Sequence, residues 1–328
     1  MTPRALKIGC YGLDSRYYNL HYPITNGIVR DWYDLETILT HIFVTLGRHR
    51  KIPIVVVEPP IIHTDFRERM CQLLFETFHC SSIFFSSAAV LSLYSYGIET
   101  GLFVDIGESG TRIVPVYCGC IMRHAVFSTS FGGRNLTEFL CSSYNLQNTG
   151  VAYQECEWLK KDLCCFTENN EKFSEVTDYF LGQEYNLSTR SIRGKYDNSY
   201  DRFVMLSTEV FECPEKLFKE NEDKSFCGVQ HHILQVINGL DEELQAEFFS
   251  NIVVSGGSCL FPGFAHRLKS ALKGLTGYNV DIILDQRKEN GVWIGANKKV
   301  LSWEGRKDCI TKKDYFADGC KSVSRLFW

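Results

Sequence analysis

Apolar side chains recur at helical spacing through Trp32, Leu35, Ile38, Leu39, Ile42, Phe43 and Leu46, which predicts an amphipathic helix. Asp31, with Asp34 three positions on, has the form of an N-cap, and Gly47 has the form of a stop. The basic group Arg48-His49-Arg50-Lys51 then reads as a solvated helix end that complements the dipole. At Ile52 the pattern changes to a β-branched run ending at Val57, a buried strand with Pro53 at its entry. Phe66, Met70, Leu73, Leu74 and Phe78 return to helical spacing, so a helix is expected from Thr64 or Asp65. A short strand at 82–85 and a helix over 88–96, closed by Gly97, complete this half.

The second half opens with three strands in close succession, at 101–105, 111–117 and 123–129, and a helix at 135–144. A helix is expected over 151–165, with Trp158, Leu159 and Leu163 inward. From Phe166 to Asp201 the chain is polar and aperiodic and reads as the surface of a smaller subdomain. A strand at 203–206 and a short helical turn from Glu212 come after it. Next comes a helix at 229–240 with Ile233, Val236, Ile237 and Leu240 on one face. The pattern then predicts a strand at 251–254, a helix at 263–275 and a strand at 280–284. The glycine-bounded segment 291–295 precedes a terminal helix and a polar tail. Strands and helices alternating in this way predict an α/β architecture with mixed sheets.

Composition narrows the function classes. The 328 residues are 45% apolar and 23% charged, which excludes disordered, collagenous and coiled-coil chains. A formal net charge of -4 supplies no global basic field, so neither nucleic acid nor an anionic membrane is an expected partner. No apolar run reaches the roughly 18 residues of a spanning helix. The first residues carry no apolar leader region, so no signal peptide is expected. The 14 cysteines contain no Cys-x-x-Cys pair, so they read as free thiols in a reducing compartment and not as a zinc site or a disulfide framework. His231 and His232 are adjacent on a helix and point about 100° apart, which does not suit a shared metal.

Two glycine loops carry the chemistry. Asp105-Ile106-Gly107-Glu108-Ser109-Gly110-Thr111 lies between two strands. Glycines there let backbone amides converge on an anion, Asp105 is placed to hold a cation, and Thr111 offers a hydroxyl. A tight hairpin with an incidental acid explains the same residues equally well. The second loop, Ser255-Gly256-Gly257 through Phe261-Pro262-Gly263, joins a strand to a helix N-terminus, a setting that favours an anion. A plain strand-to-helix turn is its alternative reading. Neither loop is a Walker sequence or a dinucleotide fingerprint.

Taken together, ordered segments of this chain resemble the actin and actin-related protein family. They are Tyr22 to Trp32, Phe75-Glu76-Thr77-Phe78, Ala89 to Tyr94, Val114-Pro115-Val116-Tyr117, Gly133-Arg134-Asn135-Leu136-Thr137, Val254 to Gly257 with Phe261-Pro262-Gly263, and Val292-Trp293-Ile294-Gly295. The resemblance implies a two-lobed ATPase fold of ribonuclease-H-like sheets. Residues 1–95 with 291–328 would form the small lobe and 96–290 the large one, with 133–223 as the latter's outer subdomain. It implies an ATP or ADP site with Mg2+. Asp105, Gly107, Glu108, Ser109, Gly110 and Thr111 would form the second phosphate loop, with Asp105 on the metal side. Ser255, Gly256, Gly257 and Phe261 would border the adenosine, with Lys160 on the adenine side.

The chain also departs from the family pattern. Some 21 residues precede Tyr22, too few for the family's first phosphate loop and its outer small-lobe subdomain, and Gly9 to Asp14 resembles the segment after that subdomain. Ala88 stands where the family has a water-orienting glutamine, Arg112 where it has a histidine, and Glu108 where it has an aspartate. Lys161 and Glu289 depart from the family at the base. Losing water orientation and phosphate neutralisation each costs orders of magnitude in rate. The resemblance and its departures together imply no catalytic residues and little or no ATP hydrolysis. The expected role is a structural subunit of a cytoplasmic cytoskeletal complex or filament end, beside other actin-family or complex subunits, and not a filament former by itself. The alternatives are a subunit of a nuclear chromatin-remodelling complex and an active ATPase of the sugar-kinase and chaperone superfamily.

Overall fold

The computed structural model describes residues 21–25, 27–47, 52–60, 64–146, 153–166, 184–186, 203–205, 208–284, 290–301 and 309–319. Gly9 to Asp14, the basic group at 48–51, most of the polar stretch after Phe166, and Lys288 and Glu289 lie outside the described residues. The chain packs as two compact units, one ending at Ala88 and resuming at Lys299, the other running from Ala89 to Lys298.

In the first unit a small hairpin, β1 (Ile24–Thr25) and β2 (Ile28–Val29), leads into α1 (Trp32–Thr45). The Asp31 carboxylate accepts the Asp34 amide at 2.9 Å, satisfying one orphan donor of the first turn. Gly47 takes φ +62 just past the end, as the stop signal requires. β3 (Pro53–Glu58) is followed by α2 (Thr64–Gln72), which continues into a π-helical turn at Leu73–Thr77, and then by β4 (Ser82–Ser87). β3 and β4 pair in parallel, and Ile310–Thr311 adds an antiparallel edge to β4. Leu35, Phe43, Cys71, Leu74, Phe75, Ile83 and Phe85 form the core here, with Phe43 stacked on Phe78 at 4.6 Å. The predicted stripe on α1 is only partly used: Leu35 and Phe43 are buried, while Ile42 and Leu46 stay exposed.

The second unit begins within α3 (Ala88–Ser95) and builds a mixed sheet. Its strands are β5 (Gly101–Ile106), β6 (Thr111–Tyr117), β7 (Cys120–Ile121) and β8 (Phe127–Thr129). The strand expected over 123–129 is therefore shortened to β8, and the short strand β7 precedes it. Cys118 and Gly119 both have positive φ and reverse the chain tightly, β7 pairs back on β6, and Arg123–Ala125 forms one 3-10 turn before β8. α4 (Gly133–Leu146) and α5 (Tyr153–Leu163) come next, then the antiparallel pair β9 (Glu184–Asn186) and β10 (Phe203–Met205). α6 (Glu209–Glu215) starts three residues before the expected turn. After α7 (Val229–Asn238), α8 (Glu242–Ser250) is a helix the pattern did not announce; it starts at Asp241 with two acidic residues in its first turn. The chain continues through β11 (Ile252–Ser255), α9 (Phe264–Leu275), β12 (Ile282–Leu284) and α10 (Gly291–Leu301).

The strand order is β12-β11-β5-β6-β7, with β8 also on β6. The first three are parallel and the rest antiparallel. Both sheet faces are covered, as a buried parallel layer requires. Leu102, Val104 and Ile106 pack towards Leu136, Leu140 and Ile233, while Phe103 and Val253 pack towards Ala89 and Leu93. The segment 291–295, expected to precede a terminal helix, is itself the first part of α10. Gly295 is needed because a Cβ there would collide with the Leu91 carbonyl of α3. The two adjacent histidines diverge as expected. His231 is exposed, whereas His232 is buried, stacks on Phe127 at 4.0 Å, and accepts the Cys227 amide on Nε2 at 3.1 Å.

Candidate functional site

Parallel pairing of β5 and β11 sets Asp105 opposite Ser255. The two glycine loops, about 150 residues apart in the chain, therefore leave the same end of neighbouring strands. In open α/β sheets this carboxyl end is where ligands bind. Gly256 lies directly against the backbone of Ile106 at φ +101, and a Cβ there would overlap the Ile106 carbonyl. A third glycine pair joins them. A Cβ on Gly132 would meet Gly107 O at 2.6 Å, and one on Gly133 would meet Glu108 Oε2 at 2.6 Å and Ser258 Oγ at 3.0 Å. Three loops thus converge because none of them carries a side chain at the point of contact.

The turn at 107–110 has a defined polarity. Its Gly107 amide donates to Gly110 O at 3.0 Å. The carbonyls of Gly107 and Glu108 accept from the amides of Gly133 and Arg134, each at 2.9 Å, at the start of α4. Every peptide here is trans and planar, so N–H points opposite to its own C=O. The amides of Glu108 and Ser109 therefore point away from α4, side by side. Two adjacent amides directed the same way suit an anion such as a phosphate.

Asp105 ends β5 beside this turn. Its cross-strand partner is Arg112, and Nη1 of that residue lies 3.7 Å from the Asp105 carboxylate. Desolvation pushes the Asp105 carboxyl above the usual carboxylate range, and the Arg112 guanidinium opposes that rise. The site therefore places a fixed cation of its own on the acid expected to face a metal. Thr111 is fully buried, and its hydroxyl donates to Phe131 O at 2.8 Å. It holds β6 to the segment leading into α4. Ser109 is half-buried at the turn.

Lys160 sits on α5 with its side chain only 6% exposed. Its ammonium donates to Gly133 O and to Thr137 Oγ1, each at 2.7 Å, and to Glu108 Oε2 at 3.3 Å. The Tyr153 hydroxyl reaches the other Glu108 oxygen at 3.4 Å. A buried ammonium needs such acceptors, and one lysine here joins α5, the start of α4 and the 107–110 turn. Ser255 ends β11, Gly256 follows it, and Gly257 opens a 3-10 turn to Leu260. Phe261 is buried, with its ring edge-on to Phe166 at 6.4 Å.

All eleven expected site residues lie in the second unit, and the loops, turn and lysine form one connected cluster. Sequence reasoning missed Thr137 and Tyr153 as members; Ser258 it held only as part of the second loop. The signal for the third loop was present in Gly132-Gly133 directly before a predicted helix. The amides of Glu108 and Ser109 fit a nucleotide phosphate. Asp105 fits Mg2+ only in competition with Arg112. The model of the actin family, described simply as actin, matches residues 6–327. That span takes in nearly the whole chain, both glycine loops and the α/β sheet around them, and the protein belongs to the actin family.

Proposed function

We propose that this actin-family chain works as a structural or assembly subunit in a cytoplasmic cytoskeletal complex or at a filament end, and that its nucleotide site hydrolyses little or no ATP. The observation that carries the reading is the Arg112–Asp105 contact at 3.7 Å. A metal-bound triphosphate needs the acid free to hold the cation or its water shell, and here a guanidinium already lies against it. Ala88 adds to this, because a methyl group cannot orient an attacking water. Lys160 belongs to the same picture: its ammonium is committed to three acceptors of the protein. The turn amides still suit a phosphate, so a bound nucleotide would act as an internal brace. Such a subunit acts through complementary surfaces shared with other actin-family or complex subunits.

The test is phosphate release from magnesium-ATP by the full chain, run beside light scattering in polymerising salt. Release at the buffer rate and scattering of a non-filamentous species are expected. Turnover that disappears in Asp105→Ala, or filaments of the chain alone, would refute the reading.

A further inference from the structure

The helix pair α4–α5 carries a second feature beside Lys160. Lys160, near the C-terminal end of α5, reaches Gly133 and Thr137 in the first turns of α4. Cys156 lies one turn earlier on α5, and Cys141 one turn later on α4. Their thiols are hydrogen-bonded to each other. The contacts run in opposite order along the two helices, so the helices are antiparallel and the thiol pair is the next rung after Thr137–Lys160.

The two cysteines differ in burial. Cys156 is fully buried, and Cys141 is half-buried. Burial, followed by the hydrogen bond from Cys141, pushes the Cys156 thiol well above the ordinary thiol range, which keeps it protonated and inert alone. Cys164 and Cys213, another close thiol pair among the described residues, are both buried. The α4–α5 pair thus sets one half-buried cysteine beside one fully buried cysteine, the arrangement of an attacking and a resolving cysteine.

We propose that Cys141 and Cys156 are a peroxide-sensitive dithiol whose disulfide fastens α5 to α4 beside Lys160. The Cys141 thiolate attacks hydrogen peroxide; the O–O bond breaks, a sulfenic acid forms on Cys141, and the departing hydroxide takes a proton to become water. The Cys156 sulfur then attacks the sulfenic sulfur. The S–S bond forms as the S–O bond breaks, and the hydroxide leaves as a second water with the Cys156 proton. Two thiols are oxidised and one peroxide is reduced to two waters. The cross-link holds in place the helix that carries Lys160.

The reduced full chain is exposed to hydrogen peroxide at neutral pH, its free thiols are alkylated, and it is digested without reductant for peptide mapping by mass spectrometry. A linked pair of peptides containing Cys141 and Cys156 is expected, abolished by dithiothreitol, together with a higher thermal midpoint for the oxidised protein. Cys156→Ser should leave Cys141 to proceed to sulfinic acid with no rise in midpoint, while Cys141→Ser should leave Cys156 unoxidised. The map of the unsubstituted chain decides the matter even if a serine variant fails to fold. Recovery of both thiols unchanged, over-oxidation of Cys141 with Cys156 still alkylated, or a link from Cys141 to any other cysteine would each overturn the proposal.

Discussion

Replacing Lys160 by Met keeps the length of the side chain and removes its charge. The ammonium makes two short bonds to enclosed acceptors, Gly133 O and Thr137 Oγ1, and one longer contact to Glu108, whose side chain is 49% exposed. Hydrogen bonds from a charged donor contribute about 1.5–3 kcal/mol each. The Glu108 contact, open to water, adds under about 1 kcal/mol. Two changes offset the loss. Thr137 Oγ1 still donates to Gly133 O at 3.1 Å, so that carbonyl keeps a partner, and the variant no longer desolvates an ammonium. The net destabilisation expected is therefore about 2–3 kcal/mol, taking the lower bond values less the offset. Glu108→Gln, which removes only the exposed partner, should cost under about 1 kcal/mol. Urea denaturation followed by tryptophan fluorescence, to which Trp158, two residues away on α5, contributes, reads both variants. A Lys160→Met midpoint matching that of the unsubstituted protein, or a Glu108→Gln loss as large as that of Lys160→Met, would show that this lysine does not tie the helices to the turn.

His232 gives a pH dependence of defined sign. Burial, and secondarily the charge of His231, holds its folded pKa below the ordinary value, so the unfolded chain takes the proton first. Its contribution is present above about pH 6.5 and is lost as the pH falls through the depressed folded value, with a slope of at most one proton, about 1.4 kcal/mol per pH unit. Urea midpoints between pH 7.5 and 5, set on that scale, should fall in the unsubstituted protein and fall less in His232→Gln; equal slopes would disprove the assignment. Gly256→Ala should destabilise by about 1–3 kcal/mol, because it imposes positive φ on a residue with a Cβ and drives that Cβ onto the Ile106 carbonyl. Thermal unfolding checks this, with Gly257→Ala, whose added Cβ meets nothing within 4 Å, as the matched control.

Much of the framework was legible because it rests on local rules. Asp31 and Asp34 announced the start of α1, and the capping hydrogen bond is there. The β-branched run before Glu58 announced β3, and apolar strands followed by glycine announced β5 and β11. The misreadings also have local causes. Periodicity could not show that Cys118-Gly119 reverses the chain, since a cysteine at positive φ carries no composition signal. Nor could it show that 291–295 is helical, since glycine reads as a breaker until the Leu91 backbone is known to press against Gly295. α8 was missed because only Gln245, Phe248 and Phe249 of its residues are buried, too few to write a helical stripe.

The order of apolar and polar side chains, with its glycines and caps, by itself determined an α/β chain with two glycine loops at strand ends and an actin-like set of motifs. Tertiary structure alone decided that those loops lie side by side, that Arg112 faces Asp105, and that Lys160 serves the protein's own acceptors. Local spacing sets which face of a strand or helix is apolar. Which strand pairs with which, and in what register, depends on contacts between residues far apart in the chain, and those contacts place the charges of this site.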